Sequence, residues 1–192
     1  MALIAKNTQD SFEPIPDGIY QAVCIGLIDI GTQYNQKFDK KAHQIILTWE
    51  IPELTFSKDG KDLPRQISKK YSLTLGEKSN LRKDLRSWRG RDFTEEELAG
   101  FNMENILGKN CMLQILSEKK GEKTYSNINS VLPLYKGMEI KVASSLISYT
   151  IGEGDIPEAV PGWIKEMIMA SEEMTPGTDI PNDPPLEDDV PF

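Results

Sequence analysis

The segment 66–91 constrains the fold more than any other part of this 192-residue chain. Its first residues alternate between two sides, one of which carries Ile67, Tyr71 and Leu73, and this alternation predicts a β-strand. Gly76 ends the strand, and Ser79 is a suitable N-cap for a following helix. Apolar side chains then recur at helical spacing: Leu81, Leu85 and Trp88. Gly90 is placed to end the helix, so a strand leads directly into an amphipathic helix and both need a core.

Other strand-like runs supply that core. They are residues 19–30, 43–51, 109–117 and 124–134. A β-bulge is expected at Gly26 in the first of them. A polar insertion, 53–64, separates the second and third strands, and Thr94 with Glu97 forms a capping box for a short second helix. The order is thus three strands, a helical connection and a hairpin. We expect a mainly β fold, a five-stranded Greek-key OB-fold barrel with a helical insertion between strands 3 and 4.

The rest of the chain surrounds this barrel. Residues 1–17 are expected to be an extended lead-in, and 18–152 the barrel domain, with a further strand within 140–151. Residues 153–172 contain a short helix that docks on the barrel. Residues 173–192 are too poor in apolar side chains to fold and are expected to form a disordered acidic tail.

Charge is distributed unevenly along the chain, whose net charge is −8. Residues 153–192 contain eleven acids and one base, a charge of −10, so the first 152 residues carry 21 bases and 19 acids, or +2. Half of all bases, 11 of 22, lie between Lys58 and Arg91 with only four acids, a local charge of +7. This asymmetry predicts a basic site for a polyanion on an acidic chain.

Binding an unpaired nucleic-acid strand needs cations for the phosphates and aromatic rings for the bases. In an OB barrel the loops between strands one–two and four–five contribute, together with the face of strands two and three. Candidate stacking residues are Tyr34, Phe38, Tyr71 and Tyr125. Candidate phosphate-binding residues are Lys37, Lys40, Lys41, Lys69, Lys70, Arg82, Lys83, Arg86, Arg89, Lys119, Lys120 and Lys123. Trp49 and Trp88 share their faces with aliphatic residues and are expected in the core, and the alternative for the charges is a solvated surface.

Catalytic and metal chemistry is not indicated. The single histidine, His43, lies in a predicted strand, and Cys24 and Cys111 are far apart in apolar strands, so no metal-ligand spacing is present. No nucleophile–base pattern occurs, and we expect a non-enzymatic protein without cofactors. No apolar run reaches membrane-spanning length, and we expect a cytoplasmic protein with no membrane partner.

Two resemblances to known families follow from particular segments. Residues 184–192, PPLEDDVPF, resemble the acidic tip of bacterial single-stranded-DNA-binding proteins. The matching residues are Glu187, Asp188, Asp189, Val190, Pro191 and Phe192. Residues 46–52, 69–97 and 127–134 look like bacteriophage-encoded single-stranded-DNA-binding proteins of the OB fold, and this likeness spans most of 18–135.

The resemblances imply sequence-independent binding and protection of single-stranded DNA in phage-type replication and recombination, in the cytoplasm of a bacterial host. They also imply a tail that recruits replication or recombination proteins, or that competes with DNA for the basic site. Two alternatives stay open: a protein–protein adaptor that uses the barrel without nucleic acid, and a subunit of a DNA-processing nuclease. Duplex binding and homo-oligomerisation also stay open.

Overall fold

A computed structural model of the chain describes residues 13–35, 39–58 and 60–175. The fold is mainly β, as predicted. The strands are β1 (Gly18–Asn35), β2 (Lys40–Lys58), β3 (Lys61–Ser72), β4 (Asn110–Lys120), β5 (Lys123–Leu132) and β6 (Ile147–Tyr149). The helices are α1 (Asn80–Arg89), α2 (Glu95–Ala99) and α3 (Gly162–Met169), with a 3₁₀ turn at Met103–Ile106.

The strands form one sheet in the order β3-β2-β1-β4-β5, with antiparallel neighbours throughout. The short β6 adds to β1 in parallel. The sheet is open, since β3 and β5 are the two ends of this path and no strand pairing joins them in the described part of the chain. The connection from β3 to β4 carries α1 and α2, which agrees with the predicted helical insertion.

The strands extend further than predicted at two hairpins. The polar insertion 53–64 is wrong as an assignment, because Thr55 pairs with Pro64 and Lys58 with Lys61 along a ladder that continues past a register shift. Most of its side chains are polar because this end of the hairpin reaches beyond the core into solvent, although Leu54 still packs against the core. The segment 118–123, which separates the predicted strands 109–117 and 124–134, is likewise mostly strand. In contrast, the strand expected within 140–151 is confined to Ile147–Tyr149.

Local signals are confirmed at several positions. The register of β1 against β2 shifts between Cys24 and Gly26, as the predicted bulge requires. The Ser79 side chain accepts a hydrogen bond from the Arg82 N–H, and Gly90 ends α1 in the left-handed conformation with φ 69°. Thr94 and Glu97 form the reciprocal capping box of α2.

The main core lies between one face of the sheet and α1. It contains the predicted stripe of β2, of which Trp49 is fully buried, and the apolar face of α1. The Trp88 ring is also buried there, with its Nε1–H donating to the Asn110 carbonyl at 2.9 Å. Both tryptophans are therefore core residues, as predicted.

A second core lies on the opposite face of the sheet. Ile28, Ile30 and Ile46 turn outward from β1 and β2, and Ile164 and Ile168 of α3 pack on them. The C-terminal helix is thus held on the sheet by buried aliphatic side chains. Within the described residues, no helix is long and apolar enough to cross a membrane.

Candidate nucleic-acid interface

A groove of about 650 Å³ lies where the sheet is open, between β3, β5 and the start of α1. The two end strands of the sheet, β3 and β5, and the helix α1 contribute to its walls. Its lining residues are Ser68, Lys69, Lys70, Asn80, Lys83, Asp84, Leu116, Ser117, Glu118, Lys120, Asn127, Ile128 and Asn129. We call this the β3–β5 groove.

The side of the β3–β5 groove toward the core carries an internal ion pair. Lys69 Nζ donates to Asp84 Oδ2 at 2.7 Å and to the Ile128 carbonyl at 3.2 Å, which links β3 to β5. The Tyr71 hydroxyl donates to the same Asp84 oxygen at 2.7 Å. Asp84 is 7% exposed, so these two donors satisfy a carboxylate that is almost removed from water.

Tyr71 is therefore corrected as a stacking candidate. Its ring is 3% exposed and presents no face to a ligand. Burial, followed by the negative charge of Asp84, raises the pKa of Tyr71 well above its usual value. Lys69 is corrected in part, because Asp84 neutralises its charge before any phosphate arrives. Alternation correctly places both residues on the inward side of β3, but it does not show that a helix supplies their acidic partner.

The rim of the groove carries the lysines that remain exposed: Lys70 on β3, Lys83 on α1 and Lys120 at the end of β4. Lys120 approaches Glu118 at 3.3 Å, but both side chains are more than half exposed, so this contact is weak. No ion pair is recorded for Lys70 or Lys83 with any described residue. These three amino groups come from separate elements and border one depression.

The arginines of α1 are mostly engaged by acids outside the helix. Arg82 and Arg86 approach Asp92 at 3.4 and 3.6 Å, and Arg89 pairs with Glu97 of α2. Arg82 and Arg89 retain only 17% and 16% side-chain exposure, whereas Arg86 retains 64%. Arg82 and Arg89 are therefore corrected as phosphate-binding candidates.

The surroundings explain why these pairs form. The Arg89 guanidinium lies over the rings of Phe93 and Phe101, 4.4 and 5.1 Å from their centroids. Hydrogen bonds from Arg91, the Thr94 N–H and Arg89 lower the pKa of Glu97 to about 2. A hydrogen bond from the Phe93 N–H and the charges of the nearby arginines lower the pKa of Asp92. Both acids thus stay ionised near neutral pH and hold their arginines.

Lys83 also borders a second, shallower depression at the C-terminal end of α1. This depression is lined by Arg86, Ser87, Gly90, Arg91 and Asp92 in addition to Lys83. The shared lysine makes the two depressions adjoin, so the basic surface continues from β3 along the exposed side of α1. Arg86 remains a phosphate candidate on this path.

The described residues predicted for the first loop, Tyr34, Lys40 and Lys41, do not line the β3–β5 groove. Tyr34 of β1 pairs with Lys41 of β2, and Lys40 is exposed beside them. The Tyr34 ring is 52% exposed, and its hydroxyl donates to Asp39, which raises its pKa. Lys41 forms an ion pair with Glu172. Lys37 and Phe38 lie outside the described residues.

The β4–β5 hairpin exposes its predicted residues. Lys119, Lys123 and Tyr125 are all exposed, with Tyr125 at 46%. Residues two apart on a strand share a face, so Tyr125 is on the same side of β5 as Asn127 and Asn129 of the groove. The tail residues 187–192 lie outside the described residues.

Sequence reasoning missed the groove's amides. Asn80, Asn127 and Asn129 line it, and only the two-residue spacing of 125, 127 and 129 on β5 could have indicated a shared polar face. Asn80 comes from α1, and no local pattern connects it with β5.

Comparison of the chain with models of known protein families and with curated proteins found no match in either set. The family resemblance therefore stays a prediction.

Proposed function

We propose that this protein binds single-stranded DNA without sequence preference, as part of phage-type replication or recombination. The observation that carries the proposal is the β3–β5 groove, in which lysines from three separate elements border a polar depression. The lining includes four lysines (69, 70, 83 and 120) and two acids (84 and 118), a net charge of +2 on a chain whose net charge is −8. A positively charged groove on an otherwise acidic chain raises the local concentration of anions at that place.

The groove's chemistry matches a strand better than a small anion. Exposed lysines from separate elements suit successive phosphates, whereas one compact anion would need them to converge on a point. The Asn80 amide can donate to phosphate or base oxygens. Asn127 and Asn129 already use one amide N–H on a neighbouring side chain, Glu118 at 3.1 Å and Gln114 at 2.7 Å, and can offer only the other to a ligand. Leu116, 43% exposed, and Tyr125 beside it offer apolar contact to unstacked bases.

We also propose that the fold is an OB-type Greek-key barrel. The strand order, the α1–α2 insertion between β3 and β4, and the Lys69–Ile128 hydrogen bond between the two end strands support it. In this arrangement β3 and β5 approach each other and α1 covers their opening. The acidic tail would recruit replication or recombination proteins by its terminal residues and would compete with DNA for the groove.

The test is fluorescence anisotropy with labelled oligo(dT) and a matched duplex over a range of salt concentrations. We expect tighter binding of oligo(dT), with a log–log salt slope near −4 for about six phosphate contacts. Replacing Lys70, Lys83 and Lys120 together by Ala should weaken binding and reduce the magnitude of the slope by about 2, since each single-strand phosphate contact contributes about 0.7.

The matched control replaces three exposed lysines that do not line the groove: Lys58, Lys61 and Lys136. It changes the net charge equally, so it should retain the affinity and slope of the parent protein if the groove is the site. Equal losses in both triple variants would assign the effect to overall charge. A protein that binds neither probe would be an adaptor, and shortening of the probe would indicate a nuclease subunit.

A further inference from the structure

A second groove, of about 360 Å³, lies on the other side of β3, between the outer face of the sheet and α3. We call it the α3 groove. Ser68 lines both this groove and the β3–β5 groove, so the two depressions adjoin across β3. A strand that follows the lysines can therefore continue toward α3 without leaving a concave surface.

Trp163 borders the α3 groove, and its side chain is unusually exposed for so large an apolar residue. Its indole is 49% exposed, while the next residue, Ile164, is 1% exposed in the second core and Ile168 is fully buried. The ring is therefore mounted on a helix that the sheet holds in place. Trp49 and Trp88 are buried, so Trp163 is the tryptophan available to a ligand.

The lining of the α3 groove differs from that of its neighbour. Among the described residues that line it, none is charged. Polar atoms come from Thr48, Gln66, Ser68 and Ser126, of which the Thr48 and Ser68 hydroxyls are hydrogen-bonded to each other at 2.8 Å. Apolar surface comes from Ile28, Pro161 and the Trp163 ring. This combination suits a flat base with hydrogen-bonding edges, whereas the adjoining groove with its lysines suits phosphates.

We propose that Trp163 stacks on an unpaired base of the strand whose phosphates follow Lys70 and Lys83, so that the C-terminal helix completes the DNA interface. This inference rests on the proposed function and adds a base-binding subsite to it. Indole is a large aromatic surface that accepts any base, which agrees with binding that lacks sequence preference. Helix α3 is then part of the binding surface as well as a cover for the sheet.

The experiment combines intrinsic fluorescence with oligo(dT) affinity. Binding should quench the emission of the parent protein, and Trp163→Phe should lose most of this quenching while it keeps most of the affinity. Trp163→Ala should bind about 5-fold to 150-fold more weakly, the range of one base–aromatic stack. Met169→Ala is the matched control, because Met169 is a 56% exposed residue of the same helix that does not line the groove.

The outcomes separate the two proposals. If the parent protein fails to bind oligo(dT), the proposed function is wrong. If it binds with the expected dependence on the groove lysines, but Trp163→Ala matches the parent and no quenching occurs, only the Trp163 inference is wrong. Should Trp163→Ala lose its fold, as judged by thermal unfolding, the loss of quenching in Trp163→Phe still decides the question.

Discussion

At the scale of single residues, Asp84 shows how one buried carboxylate decides the role of two other side chains. It accepts hydrogen bonds from Lys69 and Tyr71 of β3 and so attaches α1 to the end strand of the sheet. Lys69 is still 26% exposed, so water screens part of its charge. The tyrosine hydroxyl has no such access, and its only recorded hydrogen-bond partner among the described residues is Asp84.

Replacement of Asp84 by Ala should lower the free energy of unfolding by about 2–3 kcal/mol, because it leaves a buried hydroxyl without an acceptor and removes the partner of Lys69. Urea unfolding followed by tryptophan fluorescence measures this loss. Asp84→Asn, which keeps one oxygen acceptor without the charge, should lose less. A loss below about 0.5 kcal/mol for Asp84→Ala would contradict the assigned role.

At the scale of elements, residues 171–175 fasten the C-terminal end of the described chain to β1 and β2. We call this segment the C-terminal clip. Glu173 accepts hydrogen bonds from the Thr32 N–H at 2.8 Å and hydroxyl at 2.7 Å, and Glu172 pairs with Lys41. Gly31 has φ 69°, and a Cβ there would lie 2.8 Å from the Ser171 Cβ, so a larger residue would be strained and would displace the clip.

His43 joins the clip to the sheet. Its Nε2 lies 2.8 Å from Asp29 Oδ1, and its Nδ1 lies 3.6 Å from Glu173 Oε1. The hydrogen bond to Asp29 raises the pKa of His43 above 6.5, against burial, and both carboxylates add their charge. Burial acts to raise the pKa values of Asp29 and Glu173, but their hydrogen bonds outweigh it and leave both lowered, from 3.8 and 4.5.

These directions set the pH dependence of the clip. The contribution of His43 to stability is complete below pH 6.5 and is lost as pH rises through its raised pKa. The contribution of the carboxylates is complete above about pH 4.5 and is lost as pH falls through their lowered values. The clip should therefore hold most firmly between about pH 4.5 and 6.5.

Proton NMR measures this directly, because the chain has a single histidine. We expect the His43 pKa above 6.5 in the folded protein, and a lower value in Glu173→Gln, which removes a facing charge. Glu153→Gln, a change in an exposed acid outside the clip, should leave the His43 pKa unchanged. An unchanged His43 pKa in Glu173→Gln would show that the clip does not form as described, whereas a value at or below 6.5 in the parent protein would contradict the Asp29 hydrogen bond.

At the scale of the whole molecule, the two cysteines report on global opening. Cys24 and Cys111 are fully buried in the main core between the sheet and α1. Burial raises the pKa of Cys24 to about 12 and that of Cys111 well above its usual value, so the reactive thiolate is scarce in the folded state.

Labelling with Ellman's reagent at pH 8 should therefore be slow in native buffer and complete for two thiols in denaturant. The labelling rate should increase with urea in step with unfolding, because the core has to open before either sulfur is reached. Rapid labelling of one thiol under native conditions would reveal local opening of β1 or β4. The reduced, fully unfolded protein provides the reference for two thiols.

Much of the fold was predictable where the signal is short in range. The Ser79 cap, the Gly90 terminus and the Thr94–Glu97 box each depend on residues within one or two helical turns, and all are confirmed. The core position of Trp49 on β2 was correctly predicted from the aliphatic residues that share its face, because the period of a strand depends only on the backbone. The length of the β2–β3 hairpin was not predictable in this way, because its solvated end carries too few apolar side chains to define a buried face.

The same distinction between short-range signals and long-range contacts applies to the candidate site. Residue types alone determined that the chain has a basic segment, exposed loop lysines and an apolar helix face, since charge and spacing belong to the sequence itself. Only tertiary structure decided which cations remain available: Asp84, Asp92 and Glu97 engage Lys69, Arg82 and Arg89, while Lys70, Lys83 and Lys120 meet at one groove. The reason is physical, because an ion pair depends on distances of a few ångströms, and only the folded backbone brings residues distant in sequence that close together.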